Sequence, residues 1–200
     1  MLSDQQIIFV TGNAHKFAYI TNGIGPDTGY EFSMRKPENG IEIQSISIRE
    51  VAIHKALAAF HEFGMPVLVH DVGMKLHELN GFPGAYFKDF VLTIAPETLH
   101  RMFQNFENKQ VSFEDWLIYV DSDGQIHEFM HDTADILCLG TTLGKTQDTN
   151  PMNRHLAFSA TPDLPASDDP VFMQHYDRTL LDHGITPCWT AFRHFITGLK

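Results

Sequence analysis

A helical run that stops on a glycine and passes directly into a buried strand constrains this chain more than any other feature. From Ser47 to Phe63, the residues Ile48, Val51, Ala52, Ala56, Ala59, Phe60 and Phe63 form one apolar arc at about 100° per residue. Gly64 is the stop. Met65 to His70 then reads as a short buried strand ending at His70-Asp71, with Gly73 and a Gly-Phe-Pro-Gly turn at 81–84 beyond it. Nearer the N-terminus, Ile7-Ile8-Phe9-Val10 is a second apolar run, broken by Thr11-Gly12-Asn13, and Asn13 is placed to cap a helix beginning near Ala14. Strands that alternate with helices predict an α/β fold with a mixed sheet.

The remaining segments extend that reading. Residues 21–46 read as loop with one weak strand. Pro96-Glu97 opens a helix with Leu99, Met102, Phe103 and Phe106 on a core stripe. Val111–Val120 and Gln125–Met130 flank Asp121-Ser122-Asp123-Gly124, a hairpin signal, and Ala134–Leu139 is a candidate third strand. Residues 141–169 are mostly loop. Pro187–Leu199 closes the chain as a helix with Trp189, Phe192, Ile196 and Leu199 inward. No repeat and no linker divides the sequence, so residues 1–200 are expected to form a single domain.

Composition excludes several classes. A formal net charge of −11 repels nucleic acid and anionic membranes at long range. No stretch approaches the roughly 20 apolar residues of a membrane helix. The first residues lack the pattern of a signal peptide. Two lone cysteines, Cys138 and Cys188, suggest a reducing compartment, the cytoplasm. The closest histidines, His127 and His131, fall on one strand face about 13 Å apart, too far to share a metal ion.

Three pieces carry chemistry. Lys16 lies just after a strand-turn-helix opening that suits an anion. Lys55 falls inside the apolar arc, where it either meets an anion or snorkels along the edge. Asp71 stands at a strand end, where it is either a working acid/base or only a turn former. A carboxylate with lysines is what hydrolysis of a phosphate anhydride needs. The carboxylate activates water or holds Mg²⁺, and the lysines hold phosphates and stabilise developing charge.

In combination these residues resemble one family, the inosine triphosphate pyrophosphatases, which remove non-standard purine nucleotides. "FVTGNAHKF" (Phe9–Phe17) looks like the family's Thr-Gly-Asn-x-x-Lys opening. "EIQSISIREVAIHKA" (Glu42–Ala56) is similar to the segment that carries a metal-associated Glu and then a helix with an active-site Lys. "VLVHDVGMKLHELNGFPGAYFKDF" (Val67–Phe90) resembles the Asp-(Ser/Thr)-Gly-Leu and Gly-x-Pro-Gly-x-Tyr blocks. The match is strong over roughly residues 5–92.

The resemblance implies a long mixed sheet with flanking helices, two lobes around a central cleft, and a homodimer. It implies Mg²⁺-dependent attack of water on the α-phosphate, with Mn²⁺ as a substitute ion, giving a nucleoside monophosphate and pyrophosphate. Carried over residue by residue, Thr11, Asn13, Lys16, Lys88 and Asp169 would contact the substrate. Lys55 would bind phosphate at the reacting end. Glu42 and Asp71 would serve the metal, with Asp71 also the candidate base. Glu50 is a weaker metal candidate, because its angle on the helix differs from that of Lys55.

The second half departs from the family pattern. Where the family has Phe-Gly-(Trp/Tyr)-Asp-Pro-x-Phe, this chain has "ASDDPVF" (Ala166–Phe172), keeping Asp169, Pro170 and Phe172 but putting Ala166 and Asp168 at the stacking positions. Where the family has Ser-His-Arg, it has Trp189-Thr190-Ala191. His70 stands for an acidic residue and Val72 for Ser or Thr. A lost charge-assisted hydrogen bond costs about 1.5–3 kcal/mol and a lost base stack about 1–3 kcal/mol, so purine preference should change. Trp189, Arg193 or Tyr176 could offer a new stacking face, with core packing the simpler role. Two alternatives follow: a weak or inactive nucleotide-binding relative, and a pyrophosphatase for a modified nucleotide.

Overall fold

In the computed structural model, residues 5–26, 28–38, 40–132, 137–139, 158–159 and 187–198 are described. The chain divides into two compact units. Unit 1 is Met1–Val72, Asp115–His131 and His183–Lys200, and unit 2 is Gly73–Glu114 and Asp132–Asp182.

Unit 1 opens with β1 (Gln6–Val10), α1 (Ala14–Tyr19) and a π-helical turn at Ile20–Ile24. The weak strand expected within 21–46 is β2 (Glu31–Arg35), a full parallel partner of β1, with Gln6 opposite Glu31 and Val10 opposite Arg35. The long helix α2 covers Ile48–Phe63 as the arc requires. Ser47 caps it by accepting a hydrogen bond from the Glu50 N–H, and Gly64 ends it at φ 61°, a left-handed conformation that favours glycine.

The next strand, β3, runs Val67–Leu76 and pairs in parallel with β1. It does not stop at His70-Asp71, as the sequence suggested, but carries both residues in mid-strand. The cause is tertiary. Each polar side chain along this stretch meets a partner on another element, so the backbone has no reason to turn out of the sheet. Beyond it β5 (Gln110–Val120) lies next to β3, and β6 (Ile126–Asp132) pairs with β5 across the expected hairpin. In that turn Asp121 Oδ1 accepts from the N–H groups of Asp123 and Gln125, and Gly124 adopts φ 78°.

Alternation along the strands sends successive side chains to opposite faces. One face buries Ile8, Val10, Val67, Val69, Ile118 and Val120 against Ala52, Ala56 and Ala59 of α2. The other buries Ile7, Phe9, Leu68, Leu117 and Tyr119 against Ile20, Ile24 and α5 (Pro187–Thr197), which contributes Cys188, Trp189 and Phe192. Asp71 continues the α2 face and His70 the α5 face.

Unit 2 holds the second half of β3, a 3₁₀ turn at His77–Leu79, and β4 (Pro83–Gly84), which pairs antiparallel with β3. The Gly-Phe-Pro-Gly turn is therefore partly strand. The helices α3 (Phe87–Thr93) and α4 (Pro96–Gln104) follow, with Pro96 at the first helical position. Their core joins Met74, Leu76, Phe87, Phe90, Val91, Leu99, Phe103 and Val111. β7 (Leu137–Leu139) and β8 (Phe158–Ser159) extend the sheet antiparallel from β5. The result is the α/β fold with a mixed sheet and flanking helices that the sequence predicts. Among the described residues no helix is long and apolar enough to cross a membrane.

Candidate active site

The turn after β1 is shaped by its own side chains. Thr11 Oγ1 accepts from the Asn13 N–H at 3.0 Å, and Asn13 Oδ1 accepts from the Lys16 N–H at 3.2 Å. Thr11 keeps its hydroxyl hydrogen for donation. With only six residues, α1 is too short for its dipole to make an anion site, so any phosphate binding here falls to side chains. Gly12 has a specific reason to be glycine. A Cβ there would lie 2.8 Å from Lys36 Cε and 3.2 Å from its Nζ, so a side chain would push that ammonium off the turn.

Lys16 reaches from α1 to β3 and donates to the main-chain oxygen of His70 at 3.0 Å. Burial pulls its pKa below the ordinary 10.5, against the attraction of Asp71 and Asp115, while the like charge of Lys55 adds to the lowering. These four charged groups therefore feel one another within unit 1.

Lys55 is inward, and it meets anions rather than snorkelling. Its Nζ donates to both Asp71 oxygens, at 2.9 and 2.8 Å, and lies 3.0 Å from Glu42 Oε1. The Lys55 and Asp71 side chains are 22% and 21% exposed, so a ligand from solvent can reach them. Burial works to lower the Lys55 pKa, but the Asp71 charge, and then hydrogen bonds to Asp71 and Glu42, outweigh it and hold the ammonium above its ordinary value.

On the opposite strand face His70 Nε2 lies 3.3 Å from Asp115 Oδ1, and the ring packs edge-on against Trp189 at 5.0 Å. His70 Nδ1 is buried with no hydrogen-bond partner among the described residues. Burial drives the His70 pKa below 6.5, against the pull of Asp115.

The structure thus brings Lys16, Glu42, Lys55 and Asp71 together, with Thr11 and Asn13 at the turn that carries Lys16. Lys88 is exposed on α3 in unit 2. Asp169, Tyr176 and the whole Ala166–Phe172 block lie outside the described residues. Glu50 is not drawn to Lys55; its carboxylate accepts from Ser45 Oγ at 2.7 Å. Trp189 is 2% exposed and packs on Phe9, His70 and Phe192, so it is a core residue and offers no stacking face.

Sequence reasoning missed Asp115 and Lys36. A signal existed for each. Asp115 is one of two adjacent acids within the mostly apolar run of β5. Lys36 directly follows β2, and the parallel pairing of β1 with β2 brings the residues after both strands to the same end.

The donor set bears on a metal. Glu42 and Asp71 already share one cation, the Lys55 ammonium, and two carboxylates are what Mg²⁺ commonly takes from a protein when substrate phosphates complete its coordination. These oxygens fit Mg²⁺. Among the described residues no group of three or more His, Cys, Asp or Glu side chains converges to form an all-protein cage.

A profile of the Ham1 family matches residues 7–180. The chain belongs to the Ham1 family. It is 35% identical over 130 residues to an inosine triphosphate pyrophosphatase of Kluyveromyces lactis, covering 64% of this chain and 67% of that protein. The corresponding protein of Saccharomyces cerevisiae is 31% identical over 135 residues, with 64% and 68% covered. The fold matches the Ham1 protein of Staphylococcus aureus with a TM-score of 0.71 at 16% identity, covering 98% of this chain and all of that one. It also matches a nucleoside-triphosphatase / dITP/XTP pyrophosphatase of Mycobacterium abscessus with a TM-score of 0.68 at 14% identity, over 88% and 95% of the two chains. The family resemblance read from the three sequence blocks is borne out.

Proposed function

We propose that this protein hydrolyses nucleoside triphosphates to the monophosphate and pyrophosphate, with non-standard purine nucleotides as the first substrate class and an altered base preference. The observation that carries this reading is the convergence of Lys16, Lys55 and Glu42 around Asp71, on the three blocks that mark the family. The names of its relatives support the substrate class.

The residues divide the work as follows. Lys16 and Lys55 offer ammonium groups to phosphate oxygens and stabilise the charge that develops there. Thr11 adds a hydroxyl donor. The Asp71 carboxylate accepts the proton of the attacking water as its oxygen bonds the α-phosphorus and the bond to the β-phosphate oxygen breaks. Glu42 and Asp71 would hold Mg²⁺ or Mn²⁺, which supplies charge neutralisation on the phosphates. Lys88 and Asp169 remain proposed substrate contacts. The reading extends to a homodimer, which the family resemblance implies, and to the cytoplasm, which the lone cysteines suggest.

The altered base preference is supported by the absence of the family's Ser-His-Arg from the start of α5, where Trp189 is core instead. The test is pyrophosphate release from inosine, xanthosine and the standard ribo- and deoxyribonucleoside triphosphates in Mg²⁺, with Asp71→Asn as control. Turnover in the wild type that the variant lacks is expected. Equal background in both proteins would overturn the reading, and tight nucleotide binding without turnover would replace it with that of an inactive relative.

A further inference from the structure

An ammonium group has three N–H donors. In this structure the Lys55 ammonium has three carboxylate acceptors within hydrogen-bonding distance: both oxygens of Asp71, at 2.9 and 2.8 Å, and Glu42 Oε1, at 3.0 Å. No donor is left for a phosphate, and both Asp71 oxygens already face a cation. Lys16 differs, since its ammonium donates to an uncharged acceptor, the His70 main-chain oxygen, at 3.0 Å. The two lysines therefore cannot have the same part in binding. Lys16 can take a phosphate as it stands, and Lys55 can do so only by letting go of its carboxylates.

We propose that Lys55 is the resident counter-ion of Glu42 and Asp71 in the free protein, and that a divalent cation takes its place only when a nucleotide phosphate draws the lysine away. The inference rests on the proposed function in taking Glu42 and Asp71 as the metal carboxylates. Ammonium and metal ion compete for the same carboxylates, because two cations held against one pair of carboxylates repel each other at close range and divide the same negative charge between them. The free protein then binds divalent ions weakly, the metal and the nucleotide enter together, and the water-activating carboxylate is kept capped until substrate is present. Glu42 suits the exchange, being 69% exposed and so free to follow the incoming cation.

The consequence runs against the usual effect of damaging a site. Loss of Lys55 should strengthen metal binding to the free protein while it lowers turnover. The experiment is a Mn²⁺ titration, followed by electron paramagnetic resonance, of the nucleotide-free full chain. Lys55→Met is expected to bind Mn²⁺ about ten-fold or more tightly than the wild type. Lys109→Met, which removes the same charge from a half-buried side chain of unit 2, should stay within about two-fold, since that ammonium is not the counter-ion of Glu42 and Asp71. The double variant Lys55→Met/Asp71→Asn should lose the gain. Lys55→Gln gives the same reading if Lys55→Met does not fold, as judged by its thermal melt.

Unchanged or weaker Mn²⁺ binding in the Lys55 variants would overturn the proposal. So would an equal gain in Lys109→Met, or a gain that survives loss of Asp71. Pyrophosphate release is measured separately. Wild-type turnover without tighter Mn²⁺ binding in the variants sinks this inference and leaves the proposed function standing. Tighter binding without wild-type turnover supports the inference and removes the function.

Discussion

β3 carries two lysine–carboxylate arrangements, one in each unit, and they are built differently. In unit 2, Lys75 of β3 pairs with Glu114 of β5 on the neighbouring strand. In unit 1, Asp71 of the same strand meets Lys55, which is shared with Glu42, while Lys16 stands close enough to feel Asp71. The first arrangement joins two strand neighbours across the sheet. The second gathers two lysines and two carboxylates from four separate stretches of chain, with side chains that solvent can reach. A structural ion pair needs only complementarity, whereas a site that handles an anion and a cation needs charges that can change partners.

The largest expected effect tests the unit 1 cluster directly. Asp71→Asn should lower pyrophosphate release by between about 10² and 10⁴-fold, the usual worth of a positioned base, with nucleotide binding, measured by calorimetry, kept. A loss below ten-fold would reduce Asp71 to a structural partner like Glu114. Next comes Trp189. Its replacement by Ala should destabilise the fold by about 3–5 kcal/mol in denaturant unfolding, the range for a buried tryptophan. A neutral change in stability with a lost base preference would make it a stacking residue after all.

A smaller effect distinguishes the two faces of β3. His70 is buried and its pKa in the folded state lies below the ordinary 6.5. The unfolded chain therefore takes up its proton first on acidification. The stability this gives is complete above about pH 6.5 and falls as the pH drops from there toward the folded pKa, with a slope of at most about 1.4 kcal/mol per pH unit. Thermal melts of wild type and His70→Gln between pH 5 and 7 check this, and identical pH slopes would refute it. The smallest effect belongs to Lys75→Met. This partly exposed pair should contribute about 1 kcal/mol or less, and turnover should stay within about two-fold of wild type, since a pair of this kind is placed outside the chemistry. A large loss of turnover would erase the contrast between the two arrangements.

Some of this was legible in the sequence and some was not, for physical reasons. The arc of α2 and its stop at Gly64 are local properties, written in a 3.6-residue period and a left-handed backbone, so both were found. That Lys55 faces inward followed from the same period. Its partner did not, because Asp71 lies sixteen residues away on another element. The true length of β3 was missed because His70, Asp71 and Gly73 look like a break to any local pattern. Their fit in a strand depends on Asp115 and on Lys55 from α2, and such cross-element pairing leaves no periodic trace. Trp189 shows what a local period can settle. The helical spacing placed it inward, and its burial against Phe9 and Phe192 agrees; the stacking role that its place in the family register offered as an alternative falls away.

The uninterrupted course of β3 has a consequence for how this protein can change over evolutionary time. A carboxylate on a loop moves whenever the loop is lengthened or resculpted. Asp71 sits within a ten-residue strand whose neighbours are β1 and β5, so its backbone position is inherited from the sheet. On the proposed function, insertions and exchanges in segments that would contact a base could accumulate without displacing it. Substrate range and chemical competence would thereby be uncoupled in one chain, the first free to drift while the second is held by the ladder itself.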